Sequence, residues 1–351
     1  MGLTDSPVDA PVDSVLAIDA GNSKTDVCVV SADGELLGSA RGGPFQPHRV
    51  GAQAAVSSIA PAVAGALSRA GSVDVRHVAA CLANADLPAE HEALEAAIAE
   101  AGWAPSCEVV NDTFALLRAG LDTARGVAVV CGAGINCTGL LPDGSTVRFA
   151  AVGHISGDWG GGGHLWQEAM WWAARAEDGR GPDTALRTAL PRHLGLDSMA
   201  ALIEAVHLGE LAEPRCMELT PVLFEVAEAG DPVARDVVRR QAEEVVALAA
   251  TAIRRLGLAE EPVDVVLGGG VLTAGHQGLL DEIDLRLATE APLAVTRVVE
   301  APPILGAALL GLDRVDAPSG ARDRLRAAFP GVSSSARADR EGPEPAPGGS
   351  R

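Results

Sequence analysis

The chain has 351 residues, 48% of them hydrophobic, with 27 Lys and Arg against 47 Asp and Glu for a net charge of -20. This length supports two domains with separate cores, and the acidic balance repels nucleic acid and anionic membrane surfaces, so the expected partner is a small molecule held by a local cradle. Tyr is absent and aromatic residues make up 3%, so the core must be aliphatic and base-stacking platforms are scarce.

Residues 1–13, rich in Pro, Asp and Ser, are expected to be disordered, with the ordered chain starting near Ser14. The apolar run Val15-Leu16-Ala17-Ile18 then breaks into Asp19-Ala20-Gly21-Asn22-Ser23-Lys24-Thr25 and recovers as Val27-Cys28-Val29-Val30. Two apolar runs around a Gly/Asn/Ser turn signal a hairpin, and Gly21 and Asn22 tolerate positive φ, so the turn could curl its N–H groups toward an anion. Asp19 could reach a hydrated metal ion, Ser23 and Thr25 could donate hydroxyl hydrogen bonds, and Lys24 could neutralise phosphate. A surface hairpin with a polar turn is the competing reading.

A third strand is expected at 35–41, then a rigid polar loop through Gln46, a helix at 51–69 carrying Pro61, a strand at 74–82, a helix at 88–101 and a strand at 106–110. The pattern then repeats. Val127-Ala128-Val129-Val130-Cys131-Gly132-Ala133-Gly134, ending at Asp143-Gly144, parallels the opening segment that ends at Asp33-Gly34. Two similar α/β halves with opposed Gly-turns imply a clamp. Beyond lie Gly153-His154-Ile155-Ser156-Gly157-Asp158-Trp159, four successive glycines from Gly160 to Gly163, and an apolar helix whose Trp171 and Trp172 are expected in the core. The entropic cost of that glycine run calls for a mobile or closely approached loop. Short helices should fill 184–230. Asp231 and Pro232 open a long helix that Gly257 closes, and Val263 to Leu267 is a buried parallel strand running into Gly268-Gly269-Gly270. A helix, a strand at 294–299 and a helix at 302–312 complete the ordered part, and 317–351 reads as a disordered tail.

Four features fall at strand ends, where open α/β sheets place ligands: the Asp19 turn, Asn111-Asp112, the Gly132 turn and Gly268 to Gly270. Asp112 has two readings, an N-cap for the helix that follows or a general base that takes a proton from a substrate hydroxyl. Asp158 is likewise either a turn residue or a hydroxyl acceptor, and His154 is read as structural. The six cysteines form no CxxC pair and read as buried hydrophobes in a reducing compartment. Without a basic leader or a long apolar run the chain reads as soluble and cytoplasmic. GxxxxGK[ST], G-x-S-x-G and HExxH motifs are absent.

The ordered set DxGxxKT (Asp19 to Thr25), NDT (Asn111 to Thr113), CGxGxN (Cys131 to Asn136), GHxxGD (Gly153 to Asp158) and GGG (Gly268 to Gly270) resembles the N-acetylglucosamine kinase family. That family belongs to a wider group with the BadF/BadG/BcrA/BcrD-type ATPases, in the sugar kinase, Hsp70 and actin superfamily. The resemblance implies two ribonuclease-H-like, actin/hexokinase-type domains related by internal duplication, with ATP in the cleft between them. The first domain would span 14–112, completed by the helix 302–312, and the second 113–301. It also implies Mg2+ near Asp19, and a first phosphate loop of Gly21, Asn22, Ser23, Lys24 and Thr25. Gly132, Ala133 and Gly134 would form the second loop, and Gly268, Gly269 and Gly270 the adenosine border. Gln46, Asn111, Asn136, Gly153 and Asp158 would line the sugar pocket, with Asp112 as base for the sugar's 6-hydroxyl and direct in-line transfer to it. A homodimer is expected. Gln46 stands where the family has Asn, and Val152 where it has Trp, so the acceptor could be N-acetylglucosamine, glucosamine or an N-acetylmuramic-type sugar. The alternative within the group is an ATPase that activates an electron-transferring enzyme through a cysteine-held iron–sulfur cluster.

Overall fold

A computed structural model describes residues 11–121, 123–299, 301–315 and 317–329. The first half runs β1 (Val12–Ala20), β2 (Thr25–Ser31), β3 (Leu36–Gly42), α1 (Pro47–Val50), α2 (Ala52–Ala70), β4 (Val73–Leu82), α3 (Pro88–Ala101), β5 (Cys107–Asn111) and α4 (Asp112–Gly120). The second opens with β6 (Gly126–Cys131), β7 (Ile135–Leu140) and β8 (Thr146–Arg148). Next come α5 (Gly162–Glu177), α6 (Leu186–His193), α7 (Met199–His207), α8 (Glu213–Cys216), α9 (Leu219–Glu228) and α10 (Pro232–Arg255). It closes with β9 (Val263–Gly268), α11 (Gly270–Thr273), α12 (Gln277–Glu290), β10 (Ala294–Val298), α13 (Pro303–Arg314) and α14 (Ala321–Ala327).

The repeat seen in sequence is a repeat of topology. One sheet has the order β3-β2-β1-β4-β5 and the other β8-β7-β6-β9-β10. In each, a hairpin pairs antiparallel, from Ala20 opposite Thr25 in one copy and Cys131 opposite Ile135 in the other. In each, the first hairpin strand also pairs parallel with the next long strand, β4 or β9. Parallel neighbours covered on both faces demand strands apolar throughout. Accordingly Val15, Leu16, Ala17 and Ile18 are all fully buried.

Helix α4 joins the halves. Its Ala115 and Ala119 pack with α13 on the first sheet, while Phe114, Leu116 and Leu117 pack on the second beside Ala128 and Val266. The α4–α13 contact is so close that a Cβ on Gly306 would lie 1.7 Å from the Ala115 carbonyl oxygen. The first residue of α4 is Asp112, so the packing of two sheets on one helix sets where that carboxylate stands.

Some sequence expectations change. β1 begins at Val12 rather than Ser14, because its N–H reaches the Ser72 carbonyl at 3.2 Å and Val12 pairs with Val73. The segment 317–329, expected to be disordered, contains α14, which buries Ala321 and Leu325 against α13 and donates from Arg324 Nε to the Asp33 carbonyl at 2.7 Å. The expectations for 1–10 and 330–351 fall outside the described residues. Trp171 is 49% exposed and lies edge-on to Trp172 beneath the Arg175 guanidinium, so only Trp172 packs on the core. α2 continues through Pro61 as a single helix.

Candidate active site

The hairpin turn at Gly21 closes through its own backbone, Gly21 N–H donating to the Lys24 carbonyl at 2.9 Å. Neither Gly21 nor Asn22 adopts positive φ, so the curl expected from that freedom is not how this turn forms. Ser23 is exposed. Thr25 is buried and its hydroxyl donates to the Gly43 carbonyl at 2.9 Å, which fastens the turn to the loop after β3. The Lys24 ammonium pairs with Asp26 at 2.9 Å, and Arg41 holds the other oxygen of that carboxylate. Asn22 ties the turn to two other loops: its carbonyl accepts from Gln46 Nε2 at 3.2 Å and its Oδ1 accepts from Asn84 Nδ2 at 3.0 Å. Arg49 donates to Gln46 Oε1 at 3.3 Å.

Asp19, one residue from the end of β1, is 8% exposed. Burial, then the charges of Asp112 and Asp26, push its carboxyl up to about 7, against a smaller opposing pull from Lys24. A buried acid whose nearest cation is bound elsewhere is a fitting ligand for a hard divalent cation such as Mg2+, which takes one or two carboxylates and fills its other positions with water and phosphate oxygens. Among the described residues no set of three or more His, Cys, Asp and Glu is gathered as a self-sufficient metal cage.

The two readings of Asp112 separate here. The N-cap of α4 is Asn111, whose Oδ1 accepts from the Thr113 N–H at 3.1 Å and its hydroxyl at 2.6 Å. Asp112 is therefore not the N-cap. It is partly buried at the helix start, and burial raises its carboxyl to about 6 although the N–H groups of Thr113 and of Asp112 itself pull it down.

Asn111 and Asn136, from different sheets, meet on a residue that sequence reasoning did not single out. Asp86 Oδ1 accepts from Asn111 Nδ2 at 2.8 Å and from Asn136 Nδ2 at 3.2 Å. Burial, then the charges of Asp112 and Glu90, push Asp86 up to about 7, opposed by Arg148 and Asn136. The Arg148 guanidinium donates to the carbonyls of Ala85 and Asp86, a second tie between the halves. Asp158 is held by local bonds: its carboxylate accepts from the Ser156 hydroxyl and its N–H donates to the Gly153 carbonyl.

Around the second turn the glycines divide into two kinds. A Cβ on Gly132 or Gly134 would meet no protein atom within 4 Å, so the outer face of the Gly132-Ala133-Gly134 turn is open to close approach. Behind it the glycine run is packed tightly. Gly162 N–H donates to the Gly132 carbonyl at 2.7 Å and Gly163 N–H to Ala133 at 2.8 Å. Gly161 has φ 82°, and a Cβ there would lie 2.5 Å from the Gly134 backbone. Gly161, Gly162 and Gly163 are thus a closely approached backing for the turn, while Gly160 lies against Gln241. Gly269, φ 82°, abuts the Cys131 backbone in the same way, Gly268 abuts Leu116 of α4, and Gly270 is open.

Repeated sheets with Gly-turns at equivalent strand ends, joined through one shared helix, define a ribonuclease-H-like nucleotide-binding fold of the actin and hexokinase type. The sequence model of the BadF/BadG/BcrA/BcrD ATPase family matches residues 16–311, and the chain belongs to this family. It is 26% identical over 260 residues to an N-acetylmuramic acid/N-acetylglucosamine kinase of Clostridium acetobutylicum, covering 74% of this chain and 85% of that one. It is 25% identical over 312 residues to an N-acetyl-D-glucosamine kinase of Dictyostelium discoideum, covering 85% and 97%. A candidate N-acetylglucosamine kinase from Chromobacterium violaceum superimposes with TM-score 0.64 at 22% identity, over 85% of this chain and 99% of that chain, a likeness of fold.

Proposed function

We propose that this protein is an ATP-dependent kinase that phosphorylates the 6-hydroxyl of an amino sugar, N-acetylglucosamine first among the acceptors. The observation that carries the reading is Asp112: an acid at the start of the helix shared by both sheets, relieved of capping by Asn111 and raised to about 6. A general base works best with a pKa near the operating pH, and at pH 7 this group is mostly ionised yet basic enough to take a hydroxyl proton. The names of the Clostridium and Dictyostelium relatives support the same acceptor class.

In this mechanism the open Gly132-Ala133-Gly134 turn and the Gly21–Thr25 turn hold the phosphates of ATP from two sides, with Gly269 and Gly270 beside the nucleoside. Gln46, Asn111, Asn136, Gly153 and Asp158 orient the sugar, and Asp112 takes the proton of the attacking oxygen as the phosphoryl group passes to it in line. When bound, Mg2+ at Asp19 would neutralise phosphate charge. The halves 14–112, with the helix 302–312, and 113–301 would close to exclude water, in the cytoplasm and as a homodimer.

The test is coupled ADP release over a panel of amino sugars, with Asp112→Asn beside wild type. Sugar-stimulated turnover that drops about 100-fold to 10,000-fold in the variant is expected for loss of a general base. Turnover that no sugar stimulates, or an Asp112→Asn enzyme with full activity, sinks the proposal.

A further inference from the structure

Asp86 lies in the loop between β4 and α3, two residues after Asn84, which is held at φ 61° with its amide bonded to Asn22. A non-glycine residue in that region is uncommon and persists when its surroundings impose it. The loop is further pinned by Arg148, which donates its hydrogen bonds to the carbonyls of Ala85 and Asp86 and none to the carboxylate. The loop is thus held from both halves, by Asn22 on the Asn84 side chain and by Arg148 on the carbonyls of Ala85 and Asp86, in addition to the bonds of the Asp86 carboxylate.

That side chain uses half its capacity. An ionised carboxylate offers about four lone-pair sites on two oxygens. Both amides, Asn111 and Asn136, land on Oδ1, while Oδ2 has no hydrogen-bond partner among the described residues. A structural link between the sheets needs only the first oxygen. Keeping a partly buried acid beside Asp112 and Glu90 is costly, as its rise to about 7 indicates. A neutral carboxamide would link the asparagines without that cost.

We infer that Asp86 is a substrate-binding residue whose Oδ2 accepts a hydrogen bond from a ring hydroxyl of the acceptor sugar, other than the hydroxyl that is phosphorylated. The inference rests on the kinase reading and deepens it: the acceptor presents a hydroxyl donor to Asp86, and an anionic substituent at that position is repelled. Charge-assisted bonds of this kind are about twice as strong as neutral ones, and a site built around a substrate hydroxyl rejects analogues lacking it.

The experiment uses the full chain with Asp86→Asn, which keeps Oδ1 as acceptor for both asparagine amides and turns Oδ2 into a donor. The sugar KM should rise about 10-fold to 100-fold while the ATP KM stays near wild type and the Tm does not fall. Across a panel of singly deoxygenated acceptors, removal of one ring hydroxyl should impair wild type strongly and Asp86→Asn little, the non-additivity expected of groups in contact. An Asp86→Asn enzyme with wild-type sugar KM, or with wild-type sensitivity to every deletion, overturns the inference. A second arm needs no variant. Fluorine cannot donate, so at one ring position the deoxyfluoro sugar should be as poor as the deoxy sugar; fluoro sugars that all match the parent overturn the inference even if the variant does not fold. Wild type that phosphorylates no amino sugar overturns the kinase reading and this inference together, whereas an active wild type with an indifferent Asp86→Asn overturns this inference alone.

Discussion

Gln241 accepts the backbone N–H of Gly161 through Oε1 at 2.9 Å, from a position on α10 wholly removed from solvent. Gly161 rests on Gly134, and its neighbours Gly162 and Gly163 donate to Gly132 and Ala133, so one side chain from a distant helix fixes the strip backing the second Gly-turn. Replacing Gln241 by Leu leaves the Gly161 N–H buried without an acceptor, a penalty of about 1–3 kcal/mol. Part of that loss should fall on the geometry of the turn. The expected outcome is an ATP KM raised about 10-fold with the sugar KM little changed, read from initial rates at saturating co-substrate. A variant that melts earlier but keeps the wild-type ATP KM would confine Gln241 to a structural role.

The two kinds of glycine make a paired test. Gly161→Ala must place a Cβ against the Gly134 backbone at φ 82°, which costs on the order of 1–3 kcal/mol for the dihedral before the clash is counted. Its melting temperature should fall markedly. Gly132→Ala meets no protein atom, so its Tm should stay near wild type while nucleotide affinity, measured by titration calorimetry, drops. Equal Tm losses in the two variants would mean that the Gly132 face is not the ligand side of the turn.

Much of the architecture was legible because it is written in local patterns. Apolar runs broken by Gly-turns marked both hairpins, their repetition marked the paired sheets, and Asp231 before Pro232 marked the start of α10, where Asp231 does accept from the Ala234 N–H at 2.9 Å. Asn111 and Asp112 stood out as polar residues at a strand end, and Asn136 through the family resemblance. Asp86 did not, because an acid shortly before Pro88 reads as an ordinary helix leader, and its partners lie 25 and 50 residues away. Gln241 had one signal, a polar residue on the apolar face between Val238 and Val245, which periodicity alone treats as noise. Helix α14 was hidden by the Pro- and Gly-containing composition around it, since its order comes from packing on α13 rather than from propensity.

The acid at the start of α4 should show in stability as well as rate. Asp112 is raised in the folded state from an ordinary value of 3.8 to about 6, so the folded protein holds this proton more tightly than the unfolded chain. Its burial therefore costs nothing at pH values below the unfolded pKa, and the cost grows as pH rises between the two values and is complete above the folded one. Asp112→Asn should accordingly be more stable than wild type at pH 8, by on the order of 3 kcal/mol at most, with the gain vanishing toward pH 4. Thermal melts of the nucleotide-free proteins across that range would test the sign. For wild type, kcat/KM should fall as pH drops through about 6, where the base becomes protonated in the free enzyme.

The opposite pH signature is expected where the chain crosses between the halves. Arg118, at the end of α4 and 2% exposed, donates from Nε to Asp313 Oδ2 at 2.8 Å and from Nη1 to the Leu121 carbonyl at 2.9 Å. Arg322 of α14 holds Asp313 Oδ1 at 2.6 Å, and Arg326 caps α4 through the Ala119 carbonyl at 2.9 Å. Burial alone would raise Asp313, but hydrogen bonds and charge from Arg118 and Arg322 outweigh it and hold the carboxyl below its ordinary value. A carboxyl lowered in the folded state contributes stability above its unfolded pKa and loses it as pH falls through the folded one. Asp313→Ala leaves the buried Arg118 charge without its counter-ion and should cost on the order of 3 kcal/mol at pH 7. The gap between wild type and variant should hold down to about pH 4 and close below it, in contrast to the Asp112→Asn gap, which closes on the way down to that pH. Paired melts of the two variants between pH 3 and 8 distinguish the signs, and a gap for Asp313→Ala that widened on acidification would contradict the ion-pair assignment.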